Sequence, residues 1–165
     1  MSQALEEIGA DGRNETPLER ADRNLVELLQ EVRVAQMGVQ ILFAFLLTVP
    51  FTARFPELTS FQRVEYYVTM LAAGIATMLL IAPTAYHRVV FRCGDKEHLV
   101  VVANRFTMAG LSFVAVSMVG VLLLVTDVMF STELAVAVAT LAAIGAAVGW
   151  LALPVRRRRQ LSRRA

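Results

Sequence analysis

The sequence predicts an all-α fold, a bundle of four transmembrane helices with both termini cytoplasmic and a cytoplasmic N-terminal amphipathic helix that continues into the first span. Three observations support this prediction. A hydrophobic content of 56% and a mean hydropathy of +0.57 exceed what a soluble core of 165 residues requires. Four apolar segments approach or reach the length of about 20 residues that crosses a hydrocarbon core of ~30 Å. Lys and Arg cluster on one side of these segments.

The chain divides into four parts by composition. Residues 1–15 have neither the basic start nor the apolar middle of a signal peptide, and they predict a disordered cytoplasmic segment. Residues 16–33 predict a cytoplasmic amphipathic helix, residues 34–153 the membrane domain, and residues 154–165 a basic C-terminal tail. The four predicted spans cover approximately residues 34–53, 66–82, 106–126 and 134–153.

The first helix carries a clear start signal. Thr16 is an N-cap residue, Pro17 suits the first helical position, and Glu19 completes a capping box. Beyond it, apolar residues recur at alternating steps of three and four and form one stripe: Leu18, Ala21, Leu25, Leu28 and Val32. A lone helix in water would leave this stripe exposed, so it predicts a contact surface. The stripe covers another chain, packs on the second and third helices of its own chain, or lies on the membrane surface.

The later segments predict long helices with defined ends. No Gly or Pro interrupts the junction at Val34, which favours one continuous first helix. Pro83 predicts a kink at the end of the second span, and Cys93 begins a predicted turn. A third helix from Lys96 to about Phe130 would measure ~52 Å at 1.5 Å per residue. Part of it should therefore stand in the cytoplasm beside the first helix.

The fourth span is built largely of small residues. Gly145 and Gly149 form a GxxxG motif, which lets helix backbones approach closely in lipid. Trp150 marks a membrane interface. The tail beyond it predicts contact with anionic lipid headgroups through Arg156, Arg157, Arg158 and Arg159.

The distribution of basic residues predicts the orientation. With the assigned spans, 14 of the 16 Lys and Arg residues lie on the side of the two termini. Only Arg54 and Arg63 lie on the other side. The positive-inside rule therefore places both termini in the cytoplasm and the protein in the cell inner (plasma) membrane as a multi-pass protein.

Polar residues in and near the spans leave two alternatives. Gln36 and Gln40 lie one turn apart and either line a polar path or hydrogen-bond to neighbouring helices. The predicted interior of the spans contains no ionisable residue of the kind that ion coupling requires. The side opposite the termini has an acidic rim, which is either simply solvated or concentrates cations at a pore mouth: Glu57, Glu65, Asp127 and Glu133.

No motif indicates catalysis. The sequence has no phosphate loop, nucleophilic triad, HExxH or dinucleotide fingerprint, so we predict no enzyme activity, no catalytic residue, no cofactor and no nucleic-acid partner. The single cysteine, Cys93, excludes an intrachain disulfide. Five neighbouring residues have metal-binding atoms but no recognised ligand spacing, and we predict no metal site among them: His87, Cys93, Asp95, Glu97 and His98.

Two stretches resemble a known family. The run NLVELLQEVRVAQMGVQILFAFLLTVPF, together with AYHRVVFR, is similar to small four-helix membrane proteins of unknown function from actinobacteria. The resemblance covers most of residues 16–153. It implies the four-helix fold and the membrane location, but no established chemistry. Some members of that family carry the label sodium:proton antiporter.

These observations predict a non-enzymatic integral membrane protein that acts through helix packing among membrane lipids. It would form a homo-oligomer or serve as an accessory subunit bound to a membrane-protein partner. The alternative is a small oligomeric cation channel or cation/proton transporter, with Gln36, Gln40 and the acidic rim along its path.

Overall fold

The computed structural model describes residues 16–90 and 96–162, and nearly all of them are helical. Residues 1–15 and the predicted turn at Cys93 lie outside the described residues. The elements in chain order are α1 (Pro17–Thr48), two 3₁₀ turns (Val49–Phe51 and Phe55–Glu57), α2 (Ser60–Val90), α3 (Lys96–Met129), α4 (Thr132–Ala146), a π-helical segment (Ala147–Ala152) and α5 (Leu153–Ser162).

Four stretches are long and apolar enough to cross a membrane: Asp22–Phe51, Ser60–Val90, His98–Met129 and Thr132–Leu161. This finding confirms the prediction of an all-α chain with four apolar helices and indicates a multi-pass membrane protein. Each stretch is about ten residues longer than a hydrocarbon core requires. The helices are therefore longer than the minimum that a membrane span needs.

The predicted capping box opens α1. The Thr16 hydroxyl accepts a hydrogen bond from the Glu19 backbone N–H at 3.3 Å, and the Glu19 carboxylate accepts one from the Thr16 N–H at 2.9 Å. The hydrogen bond from the Thr16 backbone lowers the pKa of Glu19. A charged carboxylate at the N-terminal end of α1 also interacts favourably with the helix dipole. From here α1 runs unbroken to Thr48, so the junction at Val34 is helical as predicted.

One face of α1 is buried at intervals of seven residues: Leu25, Val32, Val39 and Leu46. Val32 is only 1% exposed, and its cluster contains Ala76 and Leu80 of α2. With the partly buried Leu28, Ala35 and Leu42, which pack against the same clusters, these residues form the a/d pattern of helices that pack along their length. The pattern that begins in the predicted stripe therefore continues through the membrane half of α1.

The stripe is covered by its own chain where the structure describes it. Leu25 and Val32 are buried, and Leu28 packs against the cluster that contains Val32. Leu25 and Val32 are therefore covered within the chain, as in the alternative in which the stripe packs on its own helices, whereas Leu28 is partly exposed. The side chains of Leu18 and Ala21 lie outside the described residues.

Helix α2 packs against both α1 and α3, and α1 and α3 also contact each other, so the three helices form one unit. Helix α2 approaches α3 closely where α3 has glycine. A Cβ atom added at Gly110 would lie 2.8 Å from Leu80 Cγ, and one added at Gly120 would collide with the Thr69 hydroxyl oxygen. The two glycines thus permit a separation that larger residues would prevent.

Helix α4 lies on the outside of this unit. Ala135 and Ala139 bury one of its faces, at 0% and 7% exposure, in the contact with α3. Among the described residues, α4 packs against no other helix than α3 and the π-helical segment that continues it. Its remaining faces are therefore open.

Candidate functional site

The structure separates the two glutamines of the predicted polar path. Gln36 is half-buried between α1 and α2, whereas Gln40 is exposed on the outer surface of α1. Met37 and Ile41, which flank that surface, are also exposed, at 53% and 59%. Gln36 and Gln40 therefore share no path inside the protomer.

Gln36 is held by a backbone group. Its Nε2 donates a hydrogen bond to the Leu80 carbonyl oxygen at 2.6 Å. Pro83 is buried inside α2 and lacks the N–H that would complete the helical ladder next to this carbonyl. The carbonyl that Pro83 deprives of a helical donor is that of Leu79, so the glutamine adds a hydrogen bond between α1 and α2 one residue away from it.

A polar seam joins three helices at the end where α2 begins. Gln62 Nε2 donates to Asp127 Oδ2 at 2.8 Å, and the Thr132 hydroxyl donates to Asp127 Oδ1 at 2.6 Å. Gln62 and Thr59 also cap the start of α2. The Thr59 N–H donates to the Gln62 Oε1, and the Thr59 hydroxyl accepts from the Gln62 N–H. The T-x-x-Q spacing in the sequence could have revealed this second helix start. Asp127 is therefore a structural link between α2, α3 and α4.

Glu65 is the unexpected member of the acidic rim. It is half-buried and turns toward α3, where its Oε1 lies 3.1 Å from a Cβ atom built on Gly120. The Thr69 hydroxyl donates to Oε1 at 2.9 Å. Its other oxygen, Oε2, is buried and has no hydrogen-bond partner among the described residues. A simply solvated rim is therefore wrong for Glu65, although Glu57 and Glu133 are exposed.

The polar seam continues one turn deeper. Ser117 is fully buried, and its hydroxyl donates to the Thr69 carbonyl oxygen at 3.2 Å. Glu65 and Thr69 occupy positions i and i+4 on α2 and face the same neighbour. The i, i+4 spacing of Glu65 and Thr69 is visible in the sequence. The sequence does not indicate that both side chains turn toward α3, because Glu65 lies just before the apolar run.

The predicted packing motif of α4 faces open space. No atom of the described chain lies within 4 Å of a Cβ atom built on Gly145 or Gly149. Arg156, Arg157 and Arg159 are exposed on α5, while the side chain of Arg158 lies outside the described residues. No group of three His, Cys, Asp or Glu residues in the described part of the chain is placed to hold a metal ion.

These features indicate a multi-pass α-helical membrane protein whose helices are joined by partly buried hydrogen bonds. A family of unknown function, DUF6328, matches residues 14–154. The chain belongs to this family. No curated protein and no solved structure matches it.

The glutamine pair gives a matched test of the packing. Changing Gln36→Leu leaves the Leu80 carbonyl without this donor, and we expect it to lower the free energy of unfolding by about 1–2 kcal/mol. Gln40→Leu removes an exposed amide and should leave stability within about 0.5 kcal/mol of the wild type. Thermal and denaturant unfolding in detergent, followed by circular dichroism, measures both. Equal losses in the two variants would contradict this assignment.

Proposed function

We propose that this protein is a non-enzymatic subunit of a membrane assembly and acts through helix packing. The observation that supports this is the position of α4, which packs on α3 alone among the described helices. The glycine face, defined by Gly145 of α4 and Gly149 of the π-helical segment that continues it, is open to the outside. Small residues promote association in lipid because they let another backbone approach closely. The face therefore suits a helix of a second copy or of another membrane protein.

The proposed setting is the plasma membrane, with both termini in the cytoplasm. The support is the asymmetry of charge, with 14 basic residues on the side of the termini and two on the other. The apolar stripe of α1 is not part of the proposed contact, because Leu25 and Val32 are covered within the chain. The proposed contact surface is the glycine face.

Bulky residues on the glycine face should dissociate the assembly. The double variant Gly145→Leu and Gly149→Leu places two large side chains where the structure leaves space, so the protomer should stay folded. We expect the mass in detergent, after subtraction of the detergent, to fall from a multiple of 18.2 kDa to a single protomer. If the partner is another protein, that protein should no longer co-purify. Light scattering coupled to size exclusion, with mass spectrometry of the eluted fraction, measures both.

A matched control is Gly38→Leu on α1, which is also open, with no atom within 4 Å of a built Cβ. It should leave the assembly intact, since it lies on another helix. A wild-type protein that elutes as one protomer with no partner would contradict the proposal. Dissociation by Gly38→Leu but not by the α4 variant would move the contact to α1 and overturn the role of the glycine face.

A second candidate function is a small oligomeric cation channel or cation/proton transporter. The observation that favours it is Glu65, a carboxylate with a buried oxygen that has no hydrogen-bond partner among the described residues. Ionisable groups inside membrane proteins are costly and are usually retained for function. The described helices have few polar residues between them, so a wet path would need several protomers.

Changing Glu65→Gln distinguishes this candidate. In vesicles with imposed sodium, potassium or proton gradients, we expect the wild type to carry a flux that Glu65→Gln lowers at least about tenfold. Glu57→Gln is the matched control, because its side chain is 73% exposed and should not take part. Wild-type flux no greater than that of empty vesicles, or equal flux from both variants, would contradict the transport function.

A further inference from the structure

A cleft separates α1 from α3 near the N-terminal ends of both helices. Its volume is about 420 Å³, within the range of ligand sites. Leu28 of α1 forms the apolar part of its lining together with Val100 and Val101 of α3. The rest of the lining is polar and includes charges of both signs. The cleft therefore differs from a surface that only meets lipid.

The α1 wall of the cleft is acidic. Glu27 and Glu31 both line it, and they share a face of the helix because they are four residues apart. One oxygen of Glu27 accepts a hydrogen bond from Arg23 Nη1 at 3.2 Å. The exposed carboxylate of Glu31 forms no ion pair or hydrogen bond with any described residue. This wall therefore has a carboxylate that can accept hydrogen bonds from a cationic group.

The α3 wall of the cleft carries a positive charge. It includes Arg105, whose guanidinium group forms no ion pair within residues 16–90 and 96–162. Glu31 and Arg105 thus line the same cleft with opposite charges but do not form an ion pair with each other. A guanidinium group binds a carboxylate or phosphate through two parallel hydrogen bonds. The two walls therefore suit a molecule that carries both charges and lies between them.

The cleft lies on the water side of the predicted spans. Glu31 lies three residues before the first span, which begins at residue 34, and Arg105 lies one residue before the third, which begins at residue 106. Charged side chains at this level cost little, because they stay at the boundary with water. A charged ligand can therefore reach the cleft from water, on the side that the proposed orientation makes cytoplasmic, or from the headgroup layer of the membrane.

The charges of the two walls select the class of ligand. A simple anion on Arg105 would also meet the two carboxylates of α1, and like charges repel. A simple cation on Glu31 would leave the guanidinium group unpaired on the opposite wall. A zwitterion pairs with both walls, and an aliphatic part of it would bury apolar surface against Leu28 and Val100.

We propose that the α1–α3 cleft binds a small zwitterion, with its ammonium group on Glu31 and its carboxylate or phosphate on Arg105. Two sources share this chemistry: a free amino acid with an aliphatic side chain, and the headgroup of phosphatidylethanolamine. The amides of Asn24 and Asn104 also line the cleft and supply further hydrogen bonds to the ligand. The glycine face is not part of the cleft lining, so this site does not depend on the proposed assembly.

Three related ligands test the two charges on the wild-type protein. Leucine carries both charges, leucinamide lacks the carboxylate, and 4-methylpentanoate lacks the ammonium group. Isothermal titration calorimetry of the full-length protein in a non-ionic detergent measures each affinity. Loss of either charge should weaken binding at least about tenfold, because a charge-assisted hydrogen bond is lost with it. Equal affinities of the three ligands would overturn the proposal.

Retained lipids test the second source. The protein is extracted from vesicles with equal amounts of phosphatidylethanolamine and phosphatidylcholine, and native mass spectrometry counts the bound lipids. Phosphatidylethanolamine should be retained at least about tenfold more often, because the trimethylated ammonium of phosphatidylcholine cannot donate a hydrogen bond to Glu31. Leucine binding without this preference would identify a free amino acid as the ligand, and the preference without leucine binding would identify the lipid. Absence of both would overturn the proposal.

Variants of the two walls place the ligand in the cleft. Glu31→Gln and Arg105→Gln should each weaken binding of the ligand so identified at least about tenfold. The matched controls are Arg33→Gln and Glu133→Gln, which are exposed but do not line the cleft and should leave binding unchanged. Binding that neither cleft variant weakens would place the ligand elsewhere and overturn the proposal. If a variant does not fold, the ligand series on the wild-type protein still decides.

Discussion

The close contact between α2 and α3 is the constraint on which the remaining structure depends. Lipid removes the hydrophobic drive that joins helices in water, so tight packing and a few hydrogen bonds must hold them together. Gly110 accepts Leu80, and Gly120 accepts Thr69, at distances that no larger residue permits. Side-chain hydrogen bonds between helices lie along the unit, at Gln36, Gln62, Tyr66 and Ser117. Helix α1 then packs against both α2 and α3, whereas α4 packs on α3.

This order of packing explains why the open surfaces lie on α4. Among the described helices α4 packs on α3 and on the segment that continues it, so it has one covered face, which is marked by Ala135 and Ala139. Two other faces differ in chemistry. The glycine face presents bare backbone, which suits another helix, whereas the face beside α3 borders an apolar groove.

The sequence predicted the number of helices and the start of α1, because both depend on local chemistry. The capping box needs only Thr16 and Glu19, and the spans need only apolar length. It did not predict what covers Leu25 and Val32, since periodicity shows that residues share a face but not what lies against it. The inward direction of Glu65 depends on a glycine 55 positions away, and the partner of Gln36 is a carbonyl 44 positions away. Such contacts arise only when the helices assemble.

The open position of α4 is tested most directly by photo-crosslinking in the membrane. A benzophenone amino acid at Gly145 has space in the structure and reaches only its immediate neighbours. Illumination followed by peptide mass spectrometry should then find crosslinks to lipid or to a second protein chain. Crosslinks from position 145 to α1 or α2 of the same chain would show a closed arrangement of the four helices and contradict the structure described above.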